Sequence, residues 1–303
     1  MSDLLPRLPP MLAPDRESAW PVAAGIAAAA LVETAEGPRP AGSLLPGALL
    51  RSADGQLRML RRCSLSSSAS PDVLTIARDA IAEGVPARPL GVRRGQPLLI
   101  GGAVWPAGFL DDGAAVSAGP TGTPCVWLET DLPCALLVEG LACVSDRPSG
   151  RPVPDAALAA LRAGIGARGG RRYGLLEGTV ERLDPEGAEG WVRDGAMPGA
   201  PVLLALVSDG VAVAHGFADR ARPDLAMVGL GACAFRIEAN LPPDATRLLE
   251  LCRAEDGERL REGIALQLPM SGDPDAPAAP AAIAGALMAL TRAWIRRAPS
   301  APR

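Results

Sequence analysis

Six cysteines and one histidine carry the most reactive chemistry in this 303-residue chain; they stand at 63, 125, 134, 143, 233 and 252, and at 215. A structural zinc site takes four Cys or His ligands at tight spacing. No Cys-x-x-Cys pair occurs, and His215 has no second histidine to join it. A cysteine nucleophile needs a neighbouring base or cation to become a thiolate, and the spacing offers no such pairing. The thiols therefore read as small apolar side chains, reduced and buried, in a cytoplasmic protein. No cofactor and no metal site is expected.

The remaining composition narrows the partners. All 30 basic residues are arginine against 34 acidic ones, and the net charge of −4 provides no basic field for nucleic acid. Hydrophobic residues make up 48% and aromatics only 3%, so cores must be built from Leu, Val, Ile and Ala. The first twenty residues carry Asp3, Asp15 and Glu17 and no basic run ahead of an apolar one, so no signal peptide is expected. The apolar run from Pro21 to Val32 is too short to span a bilayer.

Elements follow from punctuation and period. Residues 1–19 are Pro-rich and read as a loose tail. From Leu31 to Val144 short apolar runs are broken by Gly, Pro and Asp-Gly, the text of a β-rich module at 20–150. Asp54-Gly55 is a hairpin signal, Asp112-Gly113 a second turn. The continuous run Leu136–Val138 suggests a strand buried on both faces. Residues 151–172 read as a linker with one short helix, capped by Asp155, bearing Leu158, Leu161 and Ile165 on one stripe. Its Gly-Gly-Arg-Arg end predicts an exposed boundary at which trypsin cuts near Arg171 or Arg172. A second β-rich module spans 173–268, with a hairpin turn at Ser208-Asp209-Gly210. Residues 269–303 form a Pro/Ala-rich tail with a helix at 281–297. Ile283, Leu287, Leu290, Trp294 and Ile295 stripe that helix, ahead of Arg296 and Arg297. It is expected to dock on a β-module, or to make weak membrane contact; otherwise no membrane partner is expected.

The first module carries, in order, the blocks Leu31–Pro40, Leu45–Gly55, Ile76–Leu90, Leu98–Gly113 and Leu136–Leu141. Their order resembles the bacterial branch of the Hint family, the fold shared by hedgehog autoprocessing domains and inteins. The resemblance implies a Hint-like β-fold over residues 25–146. It also implies self-cleavage chemistry: a Cys or Ser at the first residue attacks the preceding carbonyl, and histidines move the protons. Counting back from Leu31 puts the nucleophile's place at Gly25. The histidine places read Gln96, Trp127 and Pro133. All four are unreactive there, so no catalytic residue is assigned and the module reads as degenerate. A nucleophile relocated to Cys63, Cys125 or Cys134, or to Ser18 or Ser43 near the module's start, is the alternative.

Residues 176–268 carry Gly190-Trp191-Val192-Arg193-Asp194, then Pro201 to Gly210, Ala218-Asp219, Arg222-Pro223-Asp224-Leu225, and Gly229-Leu230-Gly231 ahead of Phe235. This resembles the small β-sandwich found beside bacterial glycosyltransferases. Trp191, Phe217 and Phe235 are expected as core anchors, with Trp191 as a sugar-stacking face in the alternative. Arg222 and Asp224 are expected to pair, with ligand contact as the other reading. The sequence thus predicts a mainly β, non-catalytic protein that binds an unidentified protein or glycan, with a link to surface-polysaccharide or secreted-protein machinery. Residual autoproteolysis and carbohydrate binding by the sandwich are the alternatives.

Overall fold

The structure, a computed structural model, describes residues 24–66, 72–146, 152–241 and 249–260. The N-terminal tail, residues 269–280 and the expected closing helix lie outside them.

Short apolar runs separated by turn residues form antiparallel strands, and the chain is mainly β. Residues 26–144 make one curled sheet of thirteen strands. From one edge it runs Val116–Ala118, Val73–Ile76, Leu90–Arg93, Ile26–Ala27, Cys125–Thr130, Leu57–Ser66 and Leu49–Arg51. It continues through Leu31–Thr34, Ala135–Val138, Leu141–Val144 and Pro97–Ile100 to Ala103–Pro106, with Gly37–Pro40 added on Leu31–Thr34. Asp54-Gly55 is the expected turn: Leu50 pairs with Arg58 across it, and the Asp54 carboxylate accepts the Gln56 N–H at 3.1 Å. The run Leu136–Val138 departs from expectation. Leu136 and Val138 are buried but Leu137 is only half-buried. The strand is a member of an antiparallel hairpin with Leu141–Val144, and its alternate side chains face outward, as such hairpins allow.

The core inside this sheet is aliphatic, as the composition requires: Leu50, Leu60, Leu74, Ile76, Leu90 and Leu98 are fully buried, with Trp105 and Phe109 at its margin.

The second region is a two-layer sandwich. One sheet is ordered Leu176–Asp184, Gly187–Asp194, Ala232–Glu238, Arg220–Ala221; the other Val211–Ala218, Val202–Ser208, Leu249–Arg253. Val192, Phe235 and Ile237 of the first sheet meet Val202, Leu204 and Leu206 of the second. Ser208-Asp209-Gly210 makes the hairpin turn between Val202–Ser208 and Val211–Ala218.

Between the two regions lies the helix Ala156–Arg168. Asp155 caps it, accepting the Leu158 N–H at 2.9 Å. This helix is not an exposed linker. Leu158, Arg162 and Ile165 are buried, and Leu158 and Ile165 join a core that also holds Leu203 and Phe217 of the sandwich. Arg171, an expected protease site, is 8% exposed because its side chain is drawn onto Asp194; Arg172 remains exposed. The stripe expected to cover one surface is pressed between two.

Candidate functional site

The strand Ile26–Ala27 is short but central. It pairs with Cys125–Thr130 on one side and with Leu90–Arg93 on the other. That pairing carries Gly25 into the interior, where its carbonyl accepts the Arg93 N–H at 2.9 Å. Gly25 donates its own N–H to Oε1 of Gln96 at 2.9 Å. Gln96 is 2% exposed, and its Nε2 donates to the Val144 carbonyl at 3.0 Å. The remaining space, bordered by Ile26, Gln96, Trp127, Leu136, Cys143 and Ser145, is about 10 Å³, about the room of one water molecule.

Three of the four places singled out in the sequence therefore converge: Gly25 bonds to Gln96, and Trp127 walls the same space. Pro133 does not join them; it is exposed on a turn. Its neighbour Cys134 comes closer to the interior. The Cys134 Sγ lies 3.5 Å from the hydroxyls of both Thr130 and Ser145, which are 2.8 Å from each other. The Cys134 N–H donates to the Ser145 hydroxyl at 3.2 Å. No long-range sequence signal marks that cluster.

This arrangement offers hydrogen bonds but no proton shuttle. A carboxamide has a donor and an acceptor and does not titrate near neutrality, whereas general acid–base work needs a group with a pKa near the operating pH. Gly25 has no side chain, and its backbone would resist one. Its φ is +147°, where L-residues are strained. An added Cβ would stand 3.2 Å from the Val126 carbonyl oxygen and 3.4 Å from the Cys125 Cβ. The thiol of Cys125 beside it is pushed up by burial, with Arg93 opposing through charge and a hydrogen bond. Burial takes Cys143 up to about 12 and raises Cys63. Such thiols stay protonated at neutral pH, and the thiolate is the nucleophile. Among the described residues, no group of three or more His, Cys, Asp or Glu side chains converges as a metal site.

Elsewhere in the same module, Glu139 has φ +48° and a side chain 6% exposed. Its carboxylate accepts the Leu31 N–H at 2.7 Å and two hydrogen bonds from Arg88, at 3.1 and 2.6 Å. Burial pushes its pKa up, but the Arg88 and Leu31 hydrogen bonds outweigh it and hold the carboxyl below its usual value.

In the sandwich, the aspartate of Gly-Trp-x-x-Asp is a buried hub. Asp194 Oδ1 accepts the N–H groups of Gly174 and Ala196 at 2.9 and 2.8 Å. Its Oδ2 accepts from Arg253 at 3.0 Å and Arg171 at 3.3 Å. The Tyr173 ring lies beneath both guanidiniums, at 4.5 Å from Arg171 and 4.6 Å from Arg253. Burial, then Glu255, raises the Tyr173 hydroxyl's pKa. Gly190 is required before the tryptophan, because a Cβ there would meet the Thr179 carbonyl at 2.1 Å.

Trp191 itself is half-buried. It packs on Leu225, Leu230, Cys233 and Ala234, a small cluster separate from the sandwich core. Phe235 is the ring inside that core, and Phe217 faces the first module. Arg222 forks onto Asp224 at 3.1 and 2.6 Å and onto Glu181 at 2.9 and 2.7 Å. The expected Arg222–Asp224 pair is present, at the surface, and fixes the turn before Leu225.

The fold so described is a mainly β protein with a large curled antiparallel sheet and a sandwich beside it. No protein-family model matches the chain, and no curated protein matches it. Among solved structures it is similar to inteins. The MchDnaB-1 intein aligns over 40% of this chain and 99% of its own, at 13% identity and a TM-score of 0.30. The gp41-1 intein aligns over 41% and 100%, at 9% identity and a TM-score of 0.33. The Msm DnaB1 intein splicing domain, solved with zinc bound, aligns over 40% and 99%, at 16% identity and 0.33.

Proposed function

We propose that residues 25–146 are a Hint-like module whose reaction centre has been closed, and that the chain is a non-catalytic binding or assembly protein. One observation carries the reading: the Gly25 N–H is bonded to the Gln96 side chain. Those are two places where the sequence resemblance implies a nucleophile and a histidine. Their contact in space supports the alignment, and their chemistry supports loss of cleavage. The buried glutamine ties the first strand to the Val144 carbonyl, a structural use of a position that the resemblance makes catalytic. Fold does not dictate chemistry, and a β-scaffold can persist around an emptied centre. The sandwich, by its resemblance to modules beside glycosyltransferases, points to surface-polysaccharide or secreted-protein machinery and to a protein or glycan partner. A cytoplasmic setting with reduced thiols belongs to the same reading.

Intact mass spectrometry of the purified chain, after prolonged incubation with a small thiol, tests it. A single full-length species is expected; release of a fragment cut at the Ala24–Gly25 bond overturns it. A second reading, carbohydrate binding by the sandwich, is favoured by the half-buried Trp191 ring, since an open aromatic face offers a stacking surface to a sugar.

A further inference from the structure

Arg162 is a charged residue on the helix Ala156–Arg168 with no solvent exposure. Its Nη1 donates to the carbonyls of Phe109 and Asp111 in the first module, at 2.7 and 2.8 Å. Its Nη2 donates to the Pro201 carbonyl of the sandwich at 2.9 Å. Its Nε donates to Glu255, also unexposed, at 2.6 Å. The guanidinium lies 5.4 Å from the centre of the Phe217 ring, and that ring is 4.8 Å from Phe109. One side chain thus binds three segments distant in sequence, two of which belong to different β-modules.

The contacts lead back to the closed centre. Asp111 also takes an ion pair from Arg94 at 2.5 Å. The Gly108 N–H donates to the Arg94 carbonyl, and the Ala107 N–H to the Gln96 carbonyl. The segment that Arg162 grips is therefore the one bonded to the backbone of Gln96, whose side chain holds Gly25. Removing water from a guanidinium is costly unless its donors are met; here they are met only when both modules and the helix are in place.

We infer that Arg162 makes the two β-modules one cooperative unit, so that the sandwich's stability is felt at the Gly25–Gln96 contact. The first module cannot open at that contact on its own terms; its opening is the opening of the whole. This holds whether or not the centre is catalytically closed.

Hydrogen exchange of the full chain under native conditions tests it, read at amides of residues 25–34 and 90–100 and at amides of 202–218. Leu204→Ala damages only the sandwich core, where Leu204 is fully buried. Coupling predicts that protection falls by the same factor in both sets of amides. A fall confined to 202–218 overturns the proposal. In an Arg162→Met chain, Leu204→Ala is expected to leave the first-module amides unchanged. If the coupling survives there, it belongs to the Phe109–Phe217 contact and the assignment to Arg162 is wrong. Should Arg162→Met fail to fold, Arg162→Lys, which keeps the charge but cannot reach the Phe109, Asp111 and Pro201 carbonyls together, is read in its place by the same criterion.

Discussion

A methyl group at residue 25 is crowded. Its nearest neighbour is the Val126 carbonyl oxygen at 3.2 Å, on a backbone with φ +147°. Gly25→Ala is therefore expected to cost about 1–3 kcal/mol, the usual range for strained backbone positions. The urea midpoint of the full chain measures it; an unchanged midpoint would mean that residue 25 is not held as described. His215 supplies a second residue-scale prediction. Burial lowers its pKa, with Asp155 opposing. A base whose folded pKa is depressed favours the unfolded state once protonated. Its contribution is thus intact above the ordinary value of about 6.5 and lost as pH falls from there through the folded pKa. Stability is expected to drop as pH falls below about 6.5 in the natural chain, and to drop less in His215→Gln. Equal losses in the two chains would show that other groups carry the effect.

At the scale of elements, Trp191 sits where the strand Gly187–Asp194 meets the short helix Pro223–Met227, through Leu225. A ring half-open to solvent in a satellite cluster forfeits less on truncation than one in the core. Trp191→Ala is expected to cost about 2 kcal/mol, below the ~3–5 kcal/mol of a fully buried tryptophan. Thermal melts of the full chain measure this, and loss of the whole folded signal would place the ring in the core after all. The hairpins at Asp54-Gly55 and Ser208-Asp209-Gly210 were readable because a turn and its flanking strands are local. The cap at Asp155 was readable for the same reason. Asp194 was visible as part of a motif but not as a hub, since Arg171 and Arg253 are 23 and 59 residues away. Arg162 did leave a trace: it lies four residues after Leu158 and next to Leu161, an arginine intruding on an apolar stripe. Helical period shows which face is covered; it does not show that two bodies cover it.

For the whole molecule, the sequence divides at the Pro-rich stretch and the Gly-Gly-Arg-Arg run, and composition supports that division. The structure joins what composition separates. The described residues through Leu260 fall within one compact unit, because Leu203 and Phe217 contribute to the first core and Arg162 bridges the remainder. Hairpin partners joined by a short turn were legible within each module; the non-sequential pairings of each sheet and the contacts between modules were not, because they depend on the placement of distant segments. The convergence of Gly25 with Gln96 is visible only in the structure, because no property of glycine or glutamine announces it in the sequence.

Glu255 stands 93 residues after the arginine it neutralises. A ribosome adding some 5–20 residues per second takes on the order of 5–20 seconds to supply it. During that interval the nascent chain has all the strands of its first sheet and a helix whose central guanidinium still lacks its carboxylate. The early portion must wait for the late one, and a chain truncated before Glu255 is left with an unmatched cation at the seam.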